Sequence, residues 1–239
     1  MVRRSKKNKK SSIWRNCLLL LFLSVILLTS LQVWIFGHFK PPLTIPRVSS
    51  WARYVFNQGP QPQTGHWLSL EEFSPSLRRA VLASEDQRFL SHYGFDFIEL
   101  GQALRSLREG GYLRGASTIT MQTARTMFLW PARNWGRKLA EAYYTLLLEL
   151  IWSKEKILEF YLNSVDWGPG LVGAGDASVR YFHCRASSLT HEQAALLAAV
   201  LPGPHLWRPD HPSAAVEHRA ERILKEMPKV PLVGRDRRE

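Results

Sequence analysis

The sequence predicts a mainly α-helical, all-α body behind one N-terminal membrane helix. Three observations lead there. Cys17 to Phe36, CLLLLFLSVILLTSLQVWIF, is a run of 20 residues without a charge, long enough as a helix to cross about 30 Å of hydrocarbon. From Trp67 onward, apolar residues recur at three- and four-residue spacing between Ser, Thr, Asn and Asp caps, which is the helical period. Period-two alternation, the mark of a half-buried strand, is scarce.

At 239 residues the chain has room for one ordinary domain plus accessories. Its formal net charge is +12, of which Arg3, Arg4, Lys6, Lys7, Lys9, Lys10 and Arg15 supply +7 with no acidic residue among them. A basic tail suits nucleic acid, but one placed directly before an apolar span suits a membrane instead, with the tail on the cytoplasmic side. A cleaved signal peptide would need an apolar core of only about 7–15 residues and a small-x-small site behind it; an uncleaved anchor fits the longer run. Cys17 falls inside the span and Cys184 in the body, which argues against a bridge between them. The expected organisation is a basic tail 1–16, an anchor 17–37, a linker 38–66, a body 67–228 and a frayed tail 229–239. The linker holds Pro41, Pro42, Pro46, Pro60 and Pro62, with Trp51, Tyr54 and Phe56 as interfacial side chains.

Along the body, Ser74-Pro75 sets an N-cap and a first-turn proline before LRRAVLAS. Gly94 suits a positive φ, and Asp96 is placed to cap FIELGQALRSLREGG, whose apolar stripe is Phe97, Leu100, Leu104 and Leu107. Asn134 is placed to cap a long helix with the stripe Leu139, Tyr143, Leu146, Leu147 and Leu150. KEKILEFYLN and a Gly-rich turn, WGPGLVGAG, follow. Thr190 and Gln193 form a capping box before AALLAAVL. A formal S-x-x-K at Ser153–Lys156 lies inside a helical segment and has no K-T-G partner, so it is no penicillin-binding nucleophile.

Three stretches carry candidate chemistry. Ser84 with Gln87 fits a capping box, which would make Glu85 a first-turn carboxylate; the same Glu85 is also a candidate proton acceptor. Arg125, Arg133, Arg137 and Lys138 put four cations within 14 residues around Asn134. Arg137 and Lys138 fall at the positive end of their own helix, with Glu141 in the weaker ion-pair orientation. That pattern is either a solvated basic face or a site for a phosphate or pyrophosphate. In GASTITMQTART, Ser117 can be an N-cap with Thr120 exposed, or the hydroxyls and Gln122 can line a polar groove.

EDQRFLSHYGFD, GASTITMQ, RKLAE and KEKILEFYLN occur in the order of the glycosyltransferase domain that polymerises peptidoglycan, and GAGDASVRYF and EQAALLAAVLPGP resemble its later parts. The resemblance spans about residues 67–208. With an anchor and no transpeptidase domain, the chain most resembles the monofunctional biosynthetic peptidoglycan transglycosylases of Gram-negative bacteria.

The resemblance implies a lysozyme-like helical fold and assigns roles. Glu85 aligns with the base that deprotonates the acceptor hydroxyl, and Glu141 with the second family glutamate, acting directly or through a divalent cation (Mg or Mn) at the pyrophosphate. Arg125, Arg133, Arg137 and Lys138 fall on or beside pyrophosphate-holding positions. Ser117, Thr118 and Gln122 match the groove, and Asp86, Phe89, His92, Gly94 and Asp96 complete the first motif. The implied partners are lipid II, the growing lipid-linked chain, the membrane, and cell-wall synthesis or division proteins, with no nucleic acid and no organic cofactor. The implied location is a bacterial inner membrane, crossed once, with the N-terminus cytoplasmic and the catalytic domain periplasmic. Three positions depart from the family pattern: Met121 stands for a usual Gln, Arg125 for a usual Lys, and Leu171-Val172 for an aromatic. Arg125 keeps its charge, but in a planar fork rather than an ammonium.

Overall fold

The computed structural model describes residues 3–39, 44–62, 65–110, 117–132 and 134–235. The chain divides into two units, Met1–Lys40 and Pro41–Glu239. The first is a single helix, α1 (Arg3–His38). Within it, Ser12–His38 is long and apolar enough to cross a membrane, and its leucines lie open to the surroundings, as a lipid-facing helix requires.

In the second unit, among the described residues, nine further helices and one short hairpin follow: α2 (Ile45–Val55), α3 (Pro75–Glu85), α4 (Phe97–Arg108), α5 (Ile119–Phe128), α6 (Trp135–Ile151), α7 (Lys154–Ser164), α8 (Ala174–Phe182), α9 (His191–Ala199) and α10 (Ala214–Glu226). The hairpin pairs β1 (Asp166–Gly168) with β2 (Leu171–Val172), antiparallel, with Asp166 opposite Val172. It occupies the Gly-rich turn. Two helical clusters form the core. In one, α9 packs on α3 and α10; in the other, α5 packs on α6 and α7. Ala194, Ala195, Leu197, Ala198 and Ala199 of α9 are all buried, and small side chains let its neighbours approach closely.

The caps follow the expected chemistry. Ser74 accepts from Leu77 N with Pro75 in the first turn. Asp96 accepts from Ile98 N and Glu99 N, both at 3.0 Å. Asn134 accepts from Arg137 N at 2.8 Å, and Thr190 and Gln193 close a capping box. Ser153 is simply the cap of α7. Gly94 has φ +80.

Several expectations are corrected. Ser84 and Gln87 do not start a helix: α3 ends at Glu85, and Asp86 is its C-cap. The Asp86 side chain is drawn away to His92 and to Ile119 N, and its extended φ of −163 stops the helix there. Gln87 Nε2 instead donates back to Ala83 O, satisfying a terminal carbonyl. On α5 the cap is Thr118 rather than Ser117, and Thr120 is fully buried. The α4 stripe of Phe97, Leu100, Leu104 and Leu107 is exposed, and only Ala103 of that helix is buried. The α6 stripe splits, with Leu147 buried and Leu139, Leu146 and Leu150 exposed. Residues 45–55, within the expected linker, form helix α2. Val230 and Val233, in the segment expected to fray, are buried. The fully buried Arg78 donates to Val233 O at 2.8 Å and Arg235 O at 3.0 Å, which fastens the chain end to α3.

Candidate active site

Glu85 is the last residue of α3, and its side chain is 14% exposed. Three elements grip its carboxylate. Gln122 Nε2 of α5 donates to Oε2 at 3.1 Å. The neighbouring Ser84 hydroxyl lies 2.9 Å from Oε1. From α10, Arg219 Nη2 stands 3.4 Å from Oε1 and donates to Ser84 Oγ at 3.0 Å. The carboxylate is thereby fixed, charge-balanced and still open on one side. Such a group can accept a proton from a bound hydroxyl.

Behind Glu85 the first motif is a scaffold. Asp86 and His92, both buried, pair at 2.9 Å, while the other Asp86 oxygen takes Ile119 N at 3.0 Å. Thr118 Oγ1 donates to Gly94 O at 2.6 Å and accepts Met121 N at 3.2 Å, so this hydroxyl is committed to holding α5 against the loop. A Cβ on Gly94 would come within 2.6 Å of Thr145 Cγ2. The position needs glycine both for its positive φ and for space. Phe89 is buried and carries Lys154 Nζ 4.5 Å above its ring. Lys154 also donates to His92 O and pairs with Glu149, both at 2.8 Å, and Glu149 accepts from Thr120 at 2.6 Å. This network ties α5, α6 and α7 to the loop beneath Glu85.

Glu141 is placed differently. It is fully buried on α6, and each oxygen is held at 2.5 Å by a cation, Arg137 from four residues before and Lys138 from three. The ion pairs that the spacing of Arg137, Lys138 and Glu141 allowed in the weaker orientation are therefore both formed. With both oxygens occupied by positive groups and its side chain buried, Glu141 does not fit as a ligand of a divalent ion. Asp86, His92 and Asp96 do bring ligand-type atoms within 4.8 Å of one another. The Asp86 and Asp96 oxygens, however, are already engaged by His92, Arg88 and backbone N–H groups.

Gln122 thus touches Glu85 directly, and Ser117 O lies 3.4 Å from the same amide nitrogen. Arg125 is exposed on α5. Arg133 lies outside the described residues. Sequence reasoning missed Arg219 and Tyr161. Arg219 flanks the buried positions Val216, Ala220 and Ile223 of α10, so a cation at the edge of a core-facing stripe was its only signal. Tyr161 Oη donates to Gln122 Oε1 at 3.3 Å. Burial, reinforced by the Glu85 carboxylate, pushes its phenol well above the ordinary tyrosine range.

A helical body that holds a partly exposed glutamate between an amide and an arginine fits an enzyme of transglycosylase type. Comparison with known sequences agrees. The transglycosylase family model matches residues 53–228. The biosynthetic peptidoglycan transglycosylase of Pseudomonas entomophila (strain L48) is 49% identical over 181 residues, 76% of this chain and 75% of that one. That of Pseudomonas putida (strain KT2440) is 46% identical over 82% of this chain and 83% of its own. For Shewanella oneidensis (strain MR-1) the identity is 42%, over 87% and 88%. The chain belongs to the monofunctional peptidoglycan transglycosylase family and is a glycosyltransferase.

Proposed function

We propose that the chain polymerises glycan strands from lipid II, with Glu85 as the general base. Glu85 takes the proton of the 4-hydroxyl of the acceptor N-acetylglucosamine. That oxygen forms a bond to C1 of the N-acetylmuramic acid at the reducing end of the growing lipid-linked chain. The C1–O bond to undecaprenyl pyrophosphate breaks with its electron pair on the pyrophosphate, and the configuration inverts from α to β. The leaving group departs as an anion and needs no strong acid, unlike an ordinary glycosidic leaving group. The carrying observation is the accessible Glu85 carboxylate held by Gln122 and Arg219.

Fixed cations stabilise a leaving pyrophosphate more in the transition state than before it. Arg125, Arg133, Arg137 and Lys138 are the proposed set. Glu141 serves it by holding Arg137 and Lys138 in place rather than by touching substrate. The exposed apolar side chains of α4 and of Trp135, Leu139 and Leu150 on α6 suit a body resting on lipid, where polyprenyl substrates reside. The anchor would hold the chain in a bacterial inner membrane, N-terminus cytoplasmic and body periplasmic.

Labelled lipid II in detergent or vesicles tests the reading. Long glycan chains are expected from the full chain and none from Glu85→Gln. Fragments released from preformed sacculi without polymerisation would instead identify a lytic enzyme and overturn it.

A further inference from the structure

We propose that Tyr161 is a positioning residue for this reaction: its buried hydroxyl fixes the sense of the Gln122 side-chain amide, so that the amide N–H rather than its carbonyl faces Glu85. The inference rests on the reading of Glu85 as the base.

The terminal torsion of a glutamine is broad and roughly two-fold, so its own energetics do not choose which end faces a neighbour. The neighbours choose. Gln122 Nε2 faces two acceptors, Glu85 Oε2 at 3.1 Å and Ser117 O at 3.4 Å, while Oε1 faces Tyr161 Oη at 3.3 Å. Turning the amide over would set its carbonyl oxygen against a carboxylate and a backbone carbonyl. Tyr161 supplies the proton on the other side. It is 1% exposed, so water does not compete for its hydroxyl, and the raised phenol keeps that proton in place. At 3.3 Å the contact is long, and its value lies in orientation more than in energy.

The need for Tyr161 is greatest during turnover. Once Glu85 has taken the acceptor proton it is neutral, and its pull on the Gln122 N–H weakens. A neutral carboxyl can itself donate, which would reward a turned-over amide. Tyr161 O–H on Oε1 and Ser117 O on Nε2 hold the original sense through that interval. The amide is then correctly aimed when Glu85 ionises again. A base that must be re-formed in one geometry each cycle gains from such a second layer of support.

The test uses the full chain polymerising lipid II in vesicles. Tyr161→Phe is expected to lower kcat about tenfold while KM stays within about twofold, because the groups that bind substrate are untouched. Gln122→Ala and the double variant Gln122→Ala/Tyr161→Phe are expected to have equal kcat, since a residue acting only through Gln122 adds nothing once the amide is gone. Wild-type kcat in Tyr161→Phe, or additive losses in the double variant, would overturn the inference. Should Tyr161→Phe fail to fold, p-fluorophenylalanine at position 161 fills the volume of the hydroxyl without a donor. The same fall in kcat is expected there, and an unchanged kcat overturns the inference. Glu85→Gln separates the two levels. Activity surviving in Glu85→Gln removes the base assignment itself, whereas a silent Glu85→Gln beside a fully active Tyr161→Phe removes only the role given to Tyr161.

Discussion

Arg219 of α10 stands 3.4 Å from Glu85 Oε1 at the end of α3, across 134 residues of sequence. It also donates to Ser84 Oγ at 3.0 Å, so one guanidinium organises both side chains at the helix end. Arg219→Ala is expected to lower kcat on lipid II about tenfold or more, with Arg219→Lys recovering part of the loss. A lysine restores the charge, but its ammonium is not placed as the planar guanidinium places Nη2 against both acceptors. Equal activity of all three proteins in a lipid II assay would remove Arg219 from the machinery.

The two glutamates should fail in different ways. Glu85→Gln keeps a hydrogen-bonding group at a partly open site, so folding is expected to survive while turnover disappears. Glu141→Gln leaves Arg137 and Lys138 facing a neutral amide in a buried setting. Removing one partner of a buried ion pair is strongly destabilising. Because Lys138 is 43% exposed, the cost is scaled down to about 2–3 kcal/mol. Thermal unfolding of both variants checks the contrast, and the order reversed would refute it.

Gly94→Ala is expected to cost about 1–3 kcal/mol from its φ of +80 alone. The clash adds to this, because Thr145 is buried and its hydroxyl is tied to Glu141 O at 2.7 Å, which leaves its methyl little freedom to move. Denaturant unfolding at neutral pH gives the number. A variant as stable as the parent would show that the loop can adopt another path.

Two carboxylates should set opposite pH trends. Burial raises Asp96, but the N–H groups of Glu99 and Ile98 and the Arg88 guanidinium outweigh it and hold the carboxyl below its ordinary value. Its stabilisation is therefore present above the ordinary aspartate value and lost as pH falls through the lowered one. Asp96→Ala should cost about 1–2 kcal/mol at neutral pH, the loss of a cap, with the gap narrowing in acid. Burial pushes Asp176 up, and Arg47, Gly65 N–H and His66 do not cancel it. Its contribution is full below the ordinary aspartate value and is lost as pH rises through the raised one. Asp176→Asn should flatten the thermal midpoint over that window. Midpoints measured from acid to neutral pH for both variants decide the signs.

Ending the chain at Leu232 removes buried Val233 and both carbonyls that Arg78 reaches. The expected loss is about 2 kcal/mol or more, from lost burial and from hydrogen bonds to a buried cation. A midpoint unchanged from the full chain would mean the end is dispensable.

Much was legible in the sequence because it is local. The helix long and apolar enough to cross a membrane follows from 20 uncharged residues. The starts of α3, α4, α6 and α9 follow from caps whose side chains reach only three residues ahead. The order of short motifs named the family. What was not legible depends on which face a helix turns inward and on partners distant in sequence. The stripe of α4 reads as a core face by periodicity, yet it is exposed, because periodicity fixes that a face is apolar and not what covers it. Ser84–Gln87 has the letters of a helix start, but Asp86 is drawn to His92 and Ile119, and the helix ends instead. The sequence by itself determined the apolar N-terminal helix, the helical body and the family, and it singled out Glu85 as the candidate base. Only the tertiary structure decided that Gln122 and Arg219 reach the Glu85 carboxylate and that Tyr161 reaches Gln122, because those contacts close across α5, α7 and α10 and no local signal encodes a distance between helices.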